Sequence, residues 1–224
     1  MQDTNIKYVW TGTVRIVHWT VFLSVLVLLV TGNYIAHTPS AISPGGEPVD
    51  TFFMAQMRFI HFVAAIVFDI AIFVSIYLIF FSTFHAPWKD LLPTPTNLKK
   101  FWVQLKYYWR IKGERIEYEY EDPIDIISFL SFHVLALLLM ATGFALYAAP
   151  YVTDWWWPKF LHLTTDWIVV LLGGLQNVRT AHHIMWWLIV VWVIVHVYFQ
   201  VWKTVKFKTG NLDAIVGGYR YKKS

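Results

Sequence analysis

Long apolar stretches separated by polar loops dominate the sequence. Four of these stretches are long enough to cross a membrane as helices, and they cover residues 16–36, 59–83, 126–149 and 181–203. A helix needs about 20 apolar residues to span the roughly 30 Å hydrocarbon core of a bilayer. The pattern therefore predicts an all-α membrane protein, a four-helix transmembrane bundle that forms a single integral membrane domain over residues 1–224.

A fifth apolar stretch, residues 160–178, carries a weaker signal. It contains Asp166 and is interrupted by Gly173 and Gly174. If it crossed the membrane, the chain would have to reverse within a few residues before the last long stretch. We therefore expect an interfacial helix on the outer membrane surface, close to the headgroup belt in which the tryptophans at 155–157 would lie.

Basic residues are distributed unevenly between the loops. The connection between the first two stretches has no Lys or Arg from Asn33 through Met57, whereas the next loop and the C-terminal tail are rich in both. The basic residues there are Lys89, Lys99, Lys100, Lys106, Arg110, Lys112, Arg115, Lys203, Lys206, Lys208, Arg220, Lys222 and Lys223. Positively charged loops remain on the cytoplasmic side of a membrane. The distribution predicts that both termini are cytoplasmic and that residues 97–110 form a short amphipathic helix on the inner surface.

Composition narrows the class of protein and of cofactor. The chain is 57% hydrophobic and 14% charged, with a mean hydropathy of +0.49, so little of it lies outside the bilayer. Membrane topology accounts for the net charge of +4, and we expect no nucleic-acid binding. The sequence contains no cysteine. Disulfides, thiolate-bound iron–sulfur clusters and covalently attached c-type haem are therefore excluded.

Two histidines in the last apolar stretch share one helix face. His182 and His196 are 14 positions apart, which places them about 40° from eclipsed and about 21 Å apart along a helix. Ionisable side chains inside a membrane are costly and usually mark function. Imidazole is a common axial ligand of haem iron. Two imidazoles at two depths therefore indicate two haems stacked across the membrane.

An arginine precedes a histidine by three residues at three predicted helix starts. The pairs are Arg15 with His18, Arg58 with His61, and Arg179 with His182. This spacing places both side chains on one helix face. Imidazole suits the iron of haem b, and arginine suits its two propionate carboxylates. Ordinary snorkelling anchors would explain one such pair, but the recurrence favours haem b.

The depth of each histidine predicts how the ligands pair. The first span starts inside and the last span ends inside, so His18 and His196 would hold an inner haem. The second and fourth spans start outside, so His61 and His182 would hold an outer haem. Both haems would be bound non-covalently. The predicted propionate partners are Arg58 and Arg179 for the outer haem, and Arg15 and Lys203 for the inner one.

The five other histidines have different interpretations. His183 lies about 140° from the face of His196, so it is assigned to packing or to support of its neighbour. His133 is interpreted as a core histidine bonded to a neighbour, with a quinone pocket as the alternative. The remaining three are expected to be solvated in loops or at interfaces, and they are His37, His85 and His162. Non-haem iron or zinc would need clustered ligands, which this spacing does not provide.

Several motifs resemble those of a known family. They are VRIVHW at residues 14–19, MRFIHF at 57–62, and RTAHHIMWW at 179–187 followed by HVY at 196–198. Together with the four-span layout, they resemble the b-type cytochrome subunit of membrane-bound nickel–iron hydrogenases. That family is related to the gamma subunits of formate dehydrogenase. The resemblance covers essentially the whole chain, and it implies the same four haem ligands, His18, His61, His182 and His196.

The resemblance also implies partners and a location. Members of this family are multi-pass proteins of the bacterial cytoplasmic membrane and belong to respiratory chains. They take electrons from the iron–sulfur small subunit of the hydrogenase, whose large subunit carries the nickel–iron centre, and pass them to quinone. Hydrogen chemistry then lies on the partner subunits. Two alternatives remain open: a cytochrome subunit of formate dehydrogenase or another oxidoreductase, and a haem-free membrane anchor or transporter.

Overall fold

Helices make up most of the computed structural model, which describes residues 4–37, 48–82, 94–109, 122–151, 153–208 and 210–223. In chain order the elements are β1 (Thr4–Tyr8), α1 (Gly12–Ala36), α2 (Pro48–Phe81), α3 (Pro95–Tyr108), α4 (Pro123–Ala148), α5 (Trp156–Leu171), α6 (Leu175–Phe207), α7 (Asn211–Gly217) and β2 (Tyr219–Lys223). Within these residues, α1, α2, α4 and α6 are the helices long and apolar enough to cross a membrane. The prediction of an all-α membrane protein with four spans is confirmed.

All four spans begin earlier than the apolar pattern predicts, and two of them begin at least six residues earlier. The helix α2 begins at Pro48 rather than at residue 59, and α6 begins at Leu175 rather than at residue 181. With 34 and 33 residues, these helices are about 50 Å long, so their ends extend beyond the roughly 30 Å bilayer core. Packing supports the early turns of α2, because the ring of Phe53 lies edge-on to that of Tyr34 on α1, with centroids 5.0 Å apart. Hydropathy detects the lipid-facing part of a helix rather than its full length.

Two glycines separate α5 from α6. Gly173 and Gly174 have φ angles of 77° and 123°, which other residues rarely adopt. The amide of Gly174 donates to the carbonyl of Val169 and so closes the end of α5. The predicted interfacial segment 160–178 is therefore divided, since α5 ends at Leu171 and the residues from Leu175 onward belong to α6.

The two ends of the chain pair as an antiparallel two-stranded sheet that the apolar pattern did not predict. Tyr8 is in register with Tyr219, and the amides of Val9 and Trp10 both donate to the carbonyl of Gly218. Gly218 has a φ of 87°, and a Cβ there would lie 2.6 Å from the Tyr8 ring, so only glycine fits. The two ends are therefore hydrogen-bonded to each other, which is compatible with the predicted placement of both termini on one side of the membrane.

The chain separates into two compact units, each containing parts of the long helices. The first unit comprises Met1–His18, Ile72–His133 and Ile194–Ser224, and it includes the terminal sheet, α3 and α7. The second unit comprises Trp19–Ala71 and Val134–Val193, and it includes α5. The predicted inner histidine pair falls in the first unit and the predicted outer pair in the second.

Candidate haem-binding sites

In the second unit, the structure brings His61 of α2 and His182 of α6 together. Both side chains are half-buried, and their imidazoles are close enough to interact electrostatically. Nδ1 of His61 lies 2.9 Å from Oγ1 of Thr31 on α1. Nδ1 of His182 lies 2.9 Å from Oγ1 of Thr142 on α4. All four long helices therefore contribute a side chain to this pair.

The threonine hydrogen bonds determine which ring nitrogen carries the proton. The hydroxyl of Thr31 donates its proton to the carbonyl of Val27 at 2.7 Å. The hydroxyl of Thr142 donates in the same way to the carbonyl of Leu138 at 2.8 Å. Each hydroxyl oxygen can then only accept from its histidine, so Nδ1 of each ring carries the proton. The opposite ring nitrogen, Nε2, keeps its lone pair and is able to bind a metal.

A glycine follows each of these threonines and lies against the same histidine ring. A Cβ atom at Gly32 would lie 3.3 Å from Cε1 of His61. A Cβ atom at Gly143 would lie 3.5 Å from Cε1 of His182. Since Cε1 is bonded to Nε2, these glycines leave space beside the ligand nitrogen. Neither pair was predicted from the sequence, although the Thr-Gly dipeptide occurs in two of the predicted spans, at 31–32 and 142–143.

A buried indole places a hydrogen-bond donor beside His61. Nε1 of Trp186 is buried and has no hydrogen-bond partner in the described part of the chain. It lies 3.7 Å from the position that a Gly32 Cβ would take, which is itself next to the His61 ring. An unpaired buried donor is costly, so this site suits a ligand with an acceptor at its rim, such as a haem propionate. The paired imidazoles, the two glycines and this donor together fit haem b.

In the first unit, His18 of α1 and His196 of α6 are also close enough to interact electrostatically. The Trp10 ring packs edge-on against His18, with centroids 5.9 Å apart, so the segment after β1 covers one side of this pair. Arg15, one turn before His18, donates from a terminal guanidinium nitrogen to the carbonyl of Val216 on α7. Its Nε is buried and has no partner among the described residues, so a carboxylate bound here would find a donor.

Lys203 is fully buried and forms an ion pair with Asp125 at the start of α4. Gln200, about one turn earlier on α6, donates to the same carboxylate at 3.0 Å. A side chain of the protein itself therefore neutralises this ammonium group, and the propionate role of Lys203 stays a prediction. Asp125 was not predicted as a partner of Lys203, although an acid directly before an apolar span indicates the need for a counter-charge.

A second buried polar cluster connects α3 to the start of α4. Asp122 is fully buried and accepts hydrogen bonds from the hydroxyl of Tyr108 and, at 3.1 Å, from the amide of Gln104. Burial raises the pKa of Asp122, and the neighbouring charge of Asp125 raises it further. Tyr108 also packs against aromatic rings of α6. The segment predicted as a surface helix is therefore held to the protein by buried polar and aromatic contacts.

His133 is buried, and both of its ring nitrogens are hydrogen-bonded. Nδ1 donates to the carbonyl of Phe129 and Nε2 accepts from the hydroxyl of Ser75, each at 2.9 Å. This geometry matches the interpretation of His133 as a core histidine. Its placement in a quinone pocket stays a prediction.

The other described histidines lie in separate surroundings. The ring of His183 stacks on Trp186 with centroids 5.3 Å apart, and its centroid is 5.2 Å from that of His37. His162 is hydrogen-bonded through Nδ1 to Asp166 at 2.8 Å, and this bond raises the pKa of the imidazole. The structure therefore gives His183 a stacking position and His162 a carboxylate partner.

Three further predicted residues add little to the geometry. Arg58 and Arg179 have exposed side chains, and His85 lies outside the described residues. In the described part of the chain, no three or more His, Cys, Asp or Glu side chains are grouped to hold a metal ion. Haem supplies four iron ligands of its own and needs only two imidazoles from the protein, so a pair of histidines is sufficient to hold it.

A four-span membrane protein with an imidazole pair in each of two units has the features of a b-type membrane cytochrome. Comparison with protein families supports that class: the chain belongs to the prokaryotic cytochrome b561 family, whose family model matches residues 9–218. Cytochromes of b type hold haem b, so membership of the family implies this cofactor. The predicted resemblance is thereby confirmed at the level of the family.

Similar proteins occur in several bacteria. A probable Ni/Fe-hydrogenase B-type cytochrome subunit of Azotobacter vinelandii is 33% identical over 218 residues, which cover 95% of this chain and 88% of the relative. The protein of the same description from Cupriavidus necator is 32% identical, over 95% of this chain and 86% of its own. A probable Ni/Fe-hydrogenase 1 B-type cytochrome subunit of Escherichia coli is 27% identical, over 96% of this chain and 91% of its own.

Proposed function

We propose that this chain is the membrane-anchoring di-haem cytochrome b subunit of a nickel–iron hydrogenase and transfers electrons from that enzyme to the quinone pool. The observation that carries the proposal is the pairing of histidines, His61 with His182 and His18 with His196. Each pair offers two imidazoles from different helices, which suits the two axial positions of a haem iron. The descriptions of the relatives as hydrogenase cytochrome subunits support the choice of partner.

Charge supports one orientation of the spans. The lysines at 99, 100 and 106 lie on α3, between α2 and α4, and further basic residues follow α6 near the C-terminus. Positively charged segments remain on the cytoplasmic side. On this orientation, His18 near the start of α1 and His196 late in α6 lie toward the cytoplasm. His61 and His182 then lie toward the outside, where the hydrogenase would bind.

The electron balance requires partners on both sides of the transfer. Oxidation of one hydrogen molecule on the nickel–iron large subunit yields two protons and two electrons. Because this chain has no cysteine, the iron–sulfur relay that delivers the electrons belongs to the small subunit. A haem held by each histidine pair would supply one-electron transfer. One quinone takes up two electrons and two protons to become quinol, so two successive transfers are needed.

The residues of the chain bind, orient and connect the two sites. The four histidines would hold the two haems through their imidazoles, and the buried donors on Arg15 and Trp186 suit propionates, as the predicted outer arginines would. His182 and His196 lie on one continuous helix, α6, and electrons are proposed to pass from the outer haem to the inner one. Quinone is proposed to react near the inner site, with α3 and His133 as neighbours.

Haem content tests the first half of the proposal. We expect two haem b per chain from pyridine haemochrome quantitation of the purified protein, and one haem or none would contradict it. The proteins that co-purify test the choice of partner, since hydrogenase subunits agree with the proposal and formate dehydrogenase subunits contradict it.

Variants of the inner ligands test the direction of transfer. In the purified complex, His18→Ala and His196→Ala should leave the outer haem reducible by hydrogen and abolish quinone reduction. Normal quinone reduction without the inner haem would show that quinone reacts at the outer site.

A further inference from the structure

Two threonine–glycine pairs occupy equivalent places around the histidines of the second unit. The pair at 31–32 on α1 lies against His61, and the pair at 142–143 on α4 lies against His182. Both threonines are buried, with exposures of 4% and 5%. The same dipeptide therefore supports each ring from a neighbouring helix.

We infer that the hydroxyls of Thr31 and Thr142 are positioning groups that hold the Nδ1–H of His61 and His182 and lower the reduction potential of the haem bound by these two ligands. The inference rests on the proposed function, because it requires both histidines to bind haem iron. Each threonine acts through its histidine and is not itself a ligand of the haem iron.

The direction of the effect follows from the chemistry of imidazole. An acceptor bonded to Nδ1–H makes the ring a more basic ligand at Nε2. A more basic ligand donates more electron density to iron and favours the ferric state over the ferrous state. Hydrogen bonding to the ligands is one of the means by which proteins tune haem potentials. Removing either acceptor should therefore raise the potential of the outer haem.

The threonine oxygens are fixed in their role as acceptors. Each hydroxyl proton is bonded to the carbonyl one turn earlier on its own helix, at 2.7 Å for Thr31 and 2.8 Å for Thr142. The oxygen thus keeps its lone pairs directed away from its own helix and toward the ring. Within a membrane span, no bulk water is present to replace the lost acceptor. The carbonyl of Leu139 is a second acceptor for His182, so we expect Thr142→Val to change the outer haem less than Thr31→Val does.

The consequence for function is a bias on electron flow. A lower potential at the outer haem makes it a stronger reductant toward the next carrier. The two threonine hydrogen bonds also hold both rings in the tautomer that presents Nε2 to the iron, so the ligands are organised before haem binds. Both effects come from two hydroxyl groups, each on a different helix from the ligand that it supports.

The experiment uses Thr31→Val and Thr142→Val, which keep the side-chain volume and remove the hydroxyl. Thr165→Val is a matched control, because Thr165 is also buried and its hydroxyl donates to the carbonyl of Leu161 at 2.7 Å, with no described bond to a histidine. Thr31→Ser and Thr142→Ser are separate variants that keep a hydroxyl group at each position. The readouts are the midpoint potential and the low-spin ferric EPR signal of the outer haem, identified as the component that His61→Ala removes.

We expect the outer-haem potential to rise in both valine variants and to rise most in the double variant, with an altered EPR signal. The serine variants and Thr165→Val should match the wild type. Loss of the outer haem in the valine variants, with retention in the serine variants and in Thr165→Val, would support the positioning role of the two hydroxyls. Wild-type potentials in the valine variants, or equal shifts in the serine variants, would overturn the inference and leave the proposed function intact. A wild-type protein without an outer haem would instead overturn the proposed function, and the inference with it.

Discussion

Lys203 and Asp125 form an ion pair between α6 and α4 in the first unit, and the lysine side chain is fully buried. A buried ammonium group is costly unless a counter-charge and hydrogen bonds compensate for the lost water. Asp125 supplies the charge, and the ring of Phe199 lies 4.9 Å from the ammonium nitrogen. The lysine lies two turns beyond His196, and its ion pair therefore connects α6 to α4.

Breaking this pair on one side should destabilise the protein. Asp125→Asn leaves Lys203 buried without its counter-charge, and we expect a loss of about 3 kcal/mol in the free energy of unfolding. The double variant Asp125→Asn with Lys203→Met removes both charges and should recover most of that loss. Denaturant unfolding in detergent measures the four free energies of the wild type, Asp125→Asn, Lys203→Met and the double variant, and the double-mutant cycle gives the coupling.

The same variants separate the structural role of Lys203 from the predicted propionate role. If Asp125→Asn is as stable as the wild type while Lys203→Met releases the inner haem, the lysine serves the propionate rather than the carboxylate. Retention of the inner haem in the double variant would assign the lysine to the ion pair.

The two glycines beside the outer histidines should differ in their tolerance of a side chain. At Gly32 an added Cβ would lie 3.3 Å from Cε1 of His61, closer than most real contacts, whereas at Gly143 the distance to His182 is an ordinary 3.5 Å. Alanine otherwise favours a helix by about 1 kcal/mol relative to glycine. We expect Gly32→Ala to lower the occupancy of the outer haem and Gly143→Ala to retain it. Haem-to-protein ratios measure both, and equal occupancy in the two variants would contradict the geometric argument.

Helical phase made part of the candidate site predictable from the sequence. Positions along one helix are related by a fixed rotation per residue, so His182 and His196 could be placed on one face without any tertiary information. The depth of each histidine then depended only on the direction of its span. These are local properties, and the structure brings together the pairs that they predict.

The groups that support the histidines could not be predicted in the same way. Thr31 and Thr142 lie on different helices from the rings that they contact, and Asp125 lies on a different helix from Lys203. The sequence shows which of these groups need partners but not which helices become neighbours. The terminal sheet was missed for a related reason, because its two five-residue strands come from opposite ends of the chain. Short strands that pair across such a separation leave no periodic signal.

The contact between His162 and Asp166 on α5 should make stability depend on pH. The hydrogen bond to Asp166 is the main cause of the raised pKa of His162, and the carbonyl of Tyr151 adds to it. The pKa of His162 in the folded protein lies above the unfolded value of 6.5. The contribution of this contact to the free energy of unfolding is therefore complete below pH 6.5 and is lost as the pH rises through the folded pKa. Asp166→Asn should bring the pKa of His162 back toward its ordinary value. An NMR titration of the imidazole measures this pKa, and an unchanged midpoint would contradict the assignment of Asp166 as the main cause of the shift.

The adjacent histidines of α6 provide the sharpest test of the outer ligand set. His182 is bonded to Thr142 and lies near His61, whereas His183 stacks on Trp186. Because neighbouring residues on a helix differ by about 100° in direction, only one of the two can face the His61 ring. We expect His182→Ala to remove the outer haem and His183→Ala to retain it, as measured by haem content and by the low-spin EPR signal. The two variants change the same residue type to alanine at adjacent positions, so each is the control for loss of helix packing in the other. Loss of the haem in His183→Ala with retention in His182→Ala would reverse the ligand assignment and, with it, the role proposed for Thr142.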